Sequence, residues 1–325
     1  MFILFRCSAG GNHGWGNLKR LELIFNALKK KHEFNYLFVI EANKDVQKYL
    51  DLKKIKFISL NNDNESKVLK KLGSIDLSIL ELLYCPKRKQ SLYKKISKKL
   101  VILDDIANKS YISDVLISCQ KKLFKVKKVK NCKWYNDYSY FPFAPNYDAY
   151  SKKKKIINKD IKVVSVFLGG SNYIKNYINL GKIFKNTNYK VQFLIGTENS
   201  KKIVKNLRKI SKKFIIKINS NQIPKYIFNS DIVFSGGGYT KIETAFLRTP
   251  VVCIPIHHHQ KELIKNFYKT FKINKKIQDF VKNNDLIASL KYLDFKKRVK
   301  ISNIFSKKFK TNGIHKILEI VNGQF

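Results

Sequence analysis

No run of 18 apolar residues occurs in the 325-residue chain, so no membrane-spanning helix is expected. Arginine is scarce. Only six of the 66 basic residues are Arg: Arg6, Arg20, Arg88, Arg208, Arg248 and Arg298. Specific nucleic-acid readers depend on Arg for bidentate contacts to guanine and phosphate, so no specific nucleic-acid partner is expected despite a formal charge of +43. The five cysteines are odd in number and form no C-x-x-C pair, which argues against a disulfide framework and a zinc site. A reduced, cytoplasmic chain with buried thiols is expected instead. Neither G-x-G-x-x-G nor G-x-x-x-x-G-K-[ST] is present, which disfavours a nicotinamide cofactor and a P-loop. No cofactor and no metal ion is expected. Met1 to Gly10 lacks a basic n-region and a long h-region, and reads as a first strand rather than a signal peptide.

What the chain has in abundance is lysine, spread over every segment beside Asn and Ile. That spread is the pattern of solvated faces. The same charge permits attraction to anionic lipid or to an anionic substrate, so a peripheral contact with the inner membrane face through the basic surface is a further expectation. Blocks such as Lys152 to Lys155 would also hold RNA non-specifically at low salt.

Apolar runs of strand length alternate with stretches of helical spacing along the whole chain. Phe2 to Phe5 is followed by a glycine-rich loop and a helix carrying Leu18, Leu21, Ile24 and Leu28. Further strands are read at Tyr36 to Ile40, Ile55 to Leu60, Ile75 to Leu83, Val101 to Leu103 and Val115 to Ser118, with a helix over Tyr93 to Lys99. Phe141 to Lys155, with Pro142, Pro145 and four successive lysines, reads as a linker. The second half repeats the scheme from Val163 onward. Two α/β domains, residues 1–150 and 151–325, are expected.

Three strand–glycine–helix junctions stand out: Gly14-Trp15-Gly16, Gly169-Gly170-Ser171 and Gly236-Gly237-Gly238. Glycine lets backbone approach a ligand closely, and a helix start offers N–H groups to phosphate. In open α/β sheets ligands bind outside the carboxyl ends of the strands, where all three loops fall. Glu243, read about two turns into the helix after the third loop, is placed to accept ribose hydroxyls.

The stretch Ser235 to Pro250 resembles the donor-binding region of MurG-like glycosyltransferases, which have a glycine loop, a Glu on the next helix and a downstream Gln, here Gln260. In the first half, Phe5-Arg6 and Gly14-Trp-Gly16-Asn17-Leu-Lys-Arg20 resemble the opening of the UDP-sugar hydrolase family of the pseudaminic acid pathway, related to spore-coat polysaccharide proteins. Asp104-Asp105 followed by Asp114 to Ile117, and Val166 to Ser171, extend that likeness. Asn17 stands where that family carries its catalytic His. Asn has no titrating proton, although it can hold a hydroxyl or a water. Ser171-Asn172 replaces a Thr-Asp or Ser-Asp pair, and Phe143 to Tyr147 lacks the family's Tyr-Ala-x-x-Arg string.

The resemblance implies a GT-B fold, two facing doubly wound Rossmann-like domains with a cleft between them, and an enzyme of surface-glycan or nonulosonic-acid synthesis that cleaves a UDP-sugar. The glycosyl group would pass to water, or to an acceptor sugar or lipid-linked acceptor. Nucleotide contacts are expected from Gly170, Ser171, Gly236, Gly237, Gly238, Tyr239, Glu243 and Gln260. The sugar or acceptor side is expected to comprise Gly14, Gly16, Arg20 and His259, and the reacting centre Asn17, His13 and Asp105. A protein that binds the nucleotide sugar without turnover is the other reading left open.

Overall fold

The computed structural model describes residues 1–60, 64–106, 110–123, 125–169, 173–196, 199–218 and 220–324. The chain forms two compact units, Met1–Phe143 together with Asn312–Phe325, and Ala144–Thr311.

The first unit runs β1 (Phe2–Ala9), α1 (Gly16–Lys29), β2 (Asn35–Ala42), α2 (Lys44–Leu52), β3 (Phe57–Ser59), α3 (Glu65–Lys71), β4 (Ile75–Glu81), α4 (Lys87–Ile96), β5 (Ser97–Leu103), β6 (Val115–Ser118) and β7 (Lys133–Asn136). These strands form one seven-stranded sheet in the order β3-β2-β1-β4-β5-β6-β7, with every pairing parallel. The interior strand β1 is buried almost throughout, as a strand covered on both faces must be. The α1 helix lays Leu18, Leu21, Ile24, Phe25 and Leu28 on the sheet at helical spacing. Asn43 caps α2 by accepting the Val46 N–H at 3.0 Å.

The second unit runs α5 (Pro145–Ser151), β8 (Val163–Phe167), α6 (Ile174–Phe184), β9 (Lys190–Ile195), α7 (Ser200–Ile210), β10 (Ile215–Ile218), α8 (Ile223–Phe228), β11 (Ile232–Gly236), α9 (Thr240–Phe246), β12 (Val251–Ile254) and α10 (Gln260–Thr270), then α11 (Lys276–Lys282), α12 (Leu286–Tyr292) and α13 (Phe295–Lys308). Its five-stranded sheet has the order β10-β9-β8-β11-β12, again all parallel. In each sheet the winding reverses beside its first strand, at β1/β4 and at β8/β11.

Three expectations need correction. The helix expected at Tyr93 to Lys99 is α4, ending at Ile96, and Ser97 already belongs to β5. The polar composition of Lys87–Gln90 hides the front of that helix from an apolar-period reading. The stretch expected to be a linker contains α5, started by Pro145 in the first helical turn. The last segment groups with the first unit and not with its sequence neighbours. Asn312 clamps the Phe143 backbone, accepting its N–H at 2.9 Å and donating to its carbonyl at 2.8 Å. The final helix, α14 (Ile314–Asn322), then buries Ile317, Leu318 and Val321 and contacts α1.

Candidate functional site

At the end of β11 the chain turns through Gly236, Gly237 and Gly238 into α9. Side chains pin this bend from three directions. The Ser235 hydroxyl lies 2.6 Å from that of Thr240, closing the base of the turn. Gln260 accepts the N–H of Gly237 at 3.1 Å and that of Ile256 at 2.9 Å with one oxygen, which ties the bend to the loop after β12. The ammonium of Lys241, fully buried, donates to the carbonyls of Gly237 at 2.6 Å and Gly238 at 2.8 Å. The glycines are needed here for space. A Cβ on Gly236 would stand 2.6 Å from the Leu168 carbonyl, and one on Gly237 2.7 Å from Gln260 Cβ, whereas a Cβ on Gly238 would find its nearest neighbour at 3.9 Å. Gly236 and Gly237 are buried, and Gly238 and Tyr239 are part-exposed. The loop after β8 meets this bend: Gly169, at φ +106°, faces Thr240 Cγ2 and the Tyr173 ring. The two glycine loops therefore adjoin at the switch point of the sheet, where such folds bind ligands.

Around this bend stand groups that can titrate. Glu243 lies in the first turn of the seven-residue α9, not two turns in, and is part-buried. Desolvation pushes its carboxyl up to about 7, opposed by a hydrogen bond from the buried hydroxyl of Tyr147 on α5. His259 immediately precedes α10, at its N-cap, and its ring stacks on His257 at 5.5 Å. The His257 ring nitrogen lies 3.3 Å from the Tyr173 hydroxyl. Burial, then His257, Lys241 and His258, holds His259 below the usual imidazole range, so near neutrality it is an uncharged donor and acceptor.

In the first unit the loop after β1 closes on itself, with the Gly10 N–H donating to the Gly14 carbonyl at 2.8 Å. It requires positive φ at Gly10 (84°), Gly11 (53°) and Gly14 (67°). His13 on this loop is exposed, Gly16 opens α1, and Asn17 is buried in the first turn. Arg20, one turn further, is also buried. It donates to Glu81 at the end of β4 and to Asp105 beyond β5, at 2.7 and 2.6 Å. The other Asp105 oxygen accepts the Gln120 N–H at 2.9 Å. A second buried cation, Arg6, bridges Glu41 at 2.7 Å and Glu65 at 2.6 Å.

No protein-family profile matches the chain. An uncharacterized protein of Methanocaldococcus jannaschii is 23% identical over 283 residues, covering 81% of this chain and 57% of its own length, so the chain spans little more than half of that relative. MurG of Acinetobacter baumannii superposes over 99% of both chains with a TM-score of 0.61 at 12% identity. The UDP-GlcNAc 2-epimerase of Neisseria meningitidis, solved with UDP-GlcNAc, covers 99% of this chain and all of its own, with a TM-score of 0.52 at 13% identity.

The chain has the GT-B fold. Within its second GT-B unit the structure gathers Gly236, Gly237, Gly238, Tyr239, Glu243, Gln260 and His259 about one bend. Gly170 and Ser171 lie outside the described residues. Gln260, expected to meet the nucleotide, spends its side-chain oxygen on Gly237 and Ile256. In the first unit Arg20 and Asp105 neutralise each other in the interior, so neither is set out for substrate: Arg20 fixes strand ends, and Asp105 has both oxygens engaged. Sequence reasoning missed Lys241 and Tyr147. Tyr147 is remote in sequence from its partner. Lys241 stands four residues after Gly237, a spacing that could have flagged it, but one lysine among so many carries no signal. Among the described residues no cluster of three or more His, Cys, Asp or Glu could hold a metal ion, and no helix is long and apolar enough to cross a membrane.

Proposed function

We propose that the protein binds a UDP-sugar at the carboxyl end of the second sheet and transfers its glycosyl group to an acceptor hydroxyl or to water. One observation supports this above others: two glycine loops adjoin at the switch point, and the part-exposed Gly238 and Tyr239 lead into α9. The diphosphate would lie against the backbone N–H groups of Gly238 and Tyr239, which stabilise leaving-group charge without a metal. Glu243, once ionised, would accept the ribose hydroxyls. The likeness to MurG and to an epimerase solved with UDP-GlcNAc agrees with this ligand class.

The loop carrying His13, Gly14, Gly16 and Asn17 is proposed to serve the sugar or the acceptor. With Asp105 anchored and Asn17 unable to titrate, His13 is the base that this loop offers. A role in surface-glycan or nonulosonic-acid synthesis, in the cytoplasm with the basic surface held to anionic lipid, completes the reading. Cosedimentation with phosphatidylglycerol vesicles, lost at about 0.5 M salt, tests the last point.

A thermal-shift panel of UDP, UDP-GlcNAc, GDP and CMP tests the assignment, since a ligand that binds only the folded state raises the midpoint. UDP and a UDP-sugar should raise it; silence toward both would overturn the proposal. UDP release that requires an added acceptor identifies a transferase, and release without one a hydrolase. Binding without turnover, with hydrolysis gained by Asn17→His, identifies a protein that has lost its base.

A further inference from the structure

We infer that Lys241 is a positioning residue for the diphosphate: its buried ammonium orients two peptide groups of the glycine bend and places positive charge behind them. The inference rests on the reading that this bend holds a UDP-sugar. Lysine is almost never fully buried, because its charge must leave water. An apolar side chain of similar length would fill this space at lower cost. Here two of the ammonium's three donors go to successive carbonyls, those of Gly237 and Gly238.

Those carbonyls belong to the same peptide groups as the N–H of Gly238 and the N–H of Tyr239. No cis peptide bond occurs among the described residues, and in a trans peptide the carbonyl and the N–H point to opposite sides. With both carbonyls drawn toward Lys241, both N–H groups point away from it. That direction suits an anion seated on the bend. Three consecutive glycines would otherwise sample many conformations, and ligand binding would have to overcome that freedom. Lys241 removes it in advance, with Gln260 holding Gly237 from a separate direction.

The charge also acts beyond the carbonyls. It disfavours protonation of His259 just before α10, and it opposes in part the upward push that burial gives the Cys253 thiol on β12. Both sit on the segments that flank the bend. A negatively charged ligand there meets a fixed positive field, and a neutral nucleoside does not. Lys241 therefore sets a preference for the diphosphate over the bare nucleoside without touching either.

Calorimetric affinities for UDP, UMP and uridine, measured on the unaltered protein, Lys241→Gln and Lys241→Arg, test this. Gln keeps a donor for one carbonyl and removes the charge. It should hold uridine within about twofold of the unaltered protein and bind UDP about tenfold or more weakly, the effect of roughly one lost charge interaction. Arg should keep most of the preference. An unchanged ratio of UDP to uridine affinity in Lys241→Gln would overturn the inference and leave the UDP-sugar reading standing. Should the Gln variant not fold, competition on the unaltered protein decides: inorganic pyrophosphate must displace UDP, and failure to do so overturns the inference. No UDP binding by the unaltered protein would remove the functional reading and this inference together.

Discussion

Glu243 is a carboxyl that its surroundings keep protonated close to neutrality, and that has consequences for both stability and binding. Its folded-state value, about 7, lies above the ordinary 4.5. The native protein thus holds this proton more tightly than the unfolded chain does. The stabilisation is complete below about pH 4.5 and is lost as the pH rises through 7. Ionising Glu243 in place costs on the order of 3 kcal/mol relative to a solvated carboxyl. Glu243→Gln should therefore be more stable than the unaltered protein at pH 8 and nearly equal to it at pH 5. Urea unfolding at the two values checks this, and equal differences at both would contradict it. Because the ionised form accepts hydroxyls, UDP affinity of the unaltered protein should rise between pH 6 and 8. Tyr147→Phe, which removes the donor that favours the ionised form, should move that rise to higher pH. This pair was half legible in the sequence. Glu243 followed a glycine run closely enough to be picked out, but its hydroxyl partner comes from a helix that only the fold brings near.

The element that matters most is the turn from β11 to α9, and its glycines are not equivalent. Gly236→Ala pushes a methyl against the Leu168 carbonyl, which is backbone and cannot rotate away. We expect a loss of about 1–3 kcal/mol in chemical denaturation. Gly238→Ala has room, and should change stability by less than about 0.5 kcal/mol while weakening UDP, because the methyl stands where the ligand would approach. In the first unit, Arg20→Met strands two buried carboxylates and should cost about 3–5 kcal/mol, read as a lower urea midpoint. The strands themselves were legible, because parallel strands covered on both faces read as near-continuous apolar runs, as in Phe2–Phe5 of β1 and in β8, where only Ser165 interrupts. The α4–β5 junction was not. Its helix carries Lys87, Arg88, Lys89 and Gln90 in the first turn, and β5 begins with a polar Ser-Lys-Lys before its apolar half.

For the whole molecule, the charge of +43 dominates behaviour in dilute salt. The protein should shift RNA of any sequence at about 50 mM salt and release it by about 300 mM, whereas UDP binding should lose far less over the same range. An RNA affinity that survived high salt would point to a different function. The α/β class was accessible from the alternation of strands and helices alone, whereas the GT-B fold was implied only by the resemblance of the glycine-loop motifs to known families. The path of the C-terminal residues was not, since an amphipathic helix such as α14 fits either unit by pattern, and the choice is made by Asn312 reading the Phe143 backbone.

That last stitch has a temporal side. The stretch through Phe143 leaves the ribosome first, yet α1 gains α14 as a neighbour only after every residue of the Ala144–Thr311 unit has been made. The half that is synthesised earliest is completed latest. During that interval the surface of α1 that meets α14 is uncovered and open to chaperones and to other nascent chains.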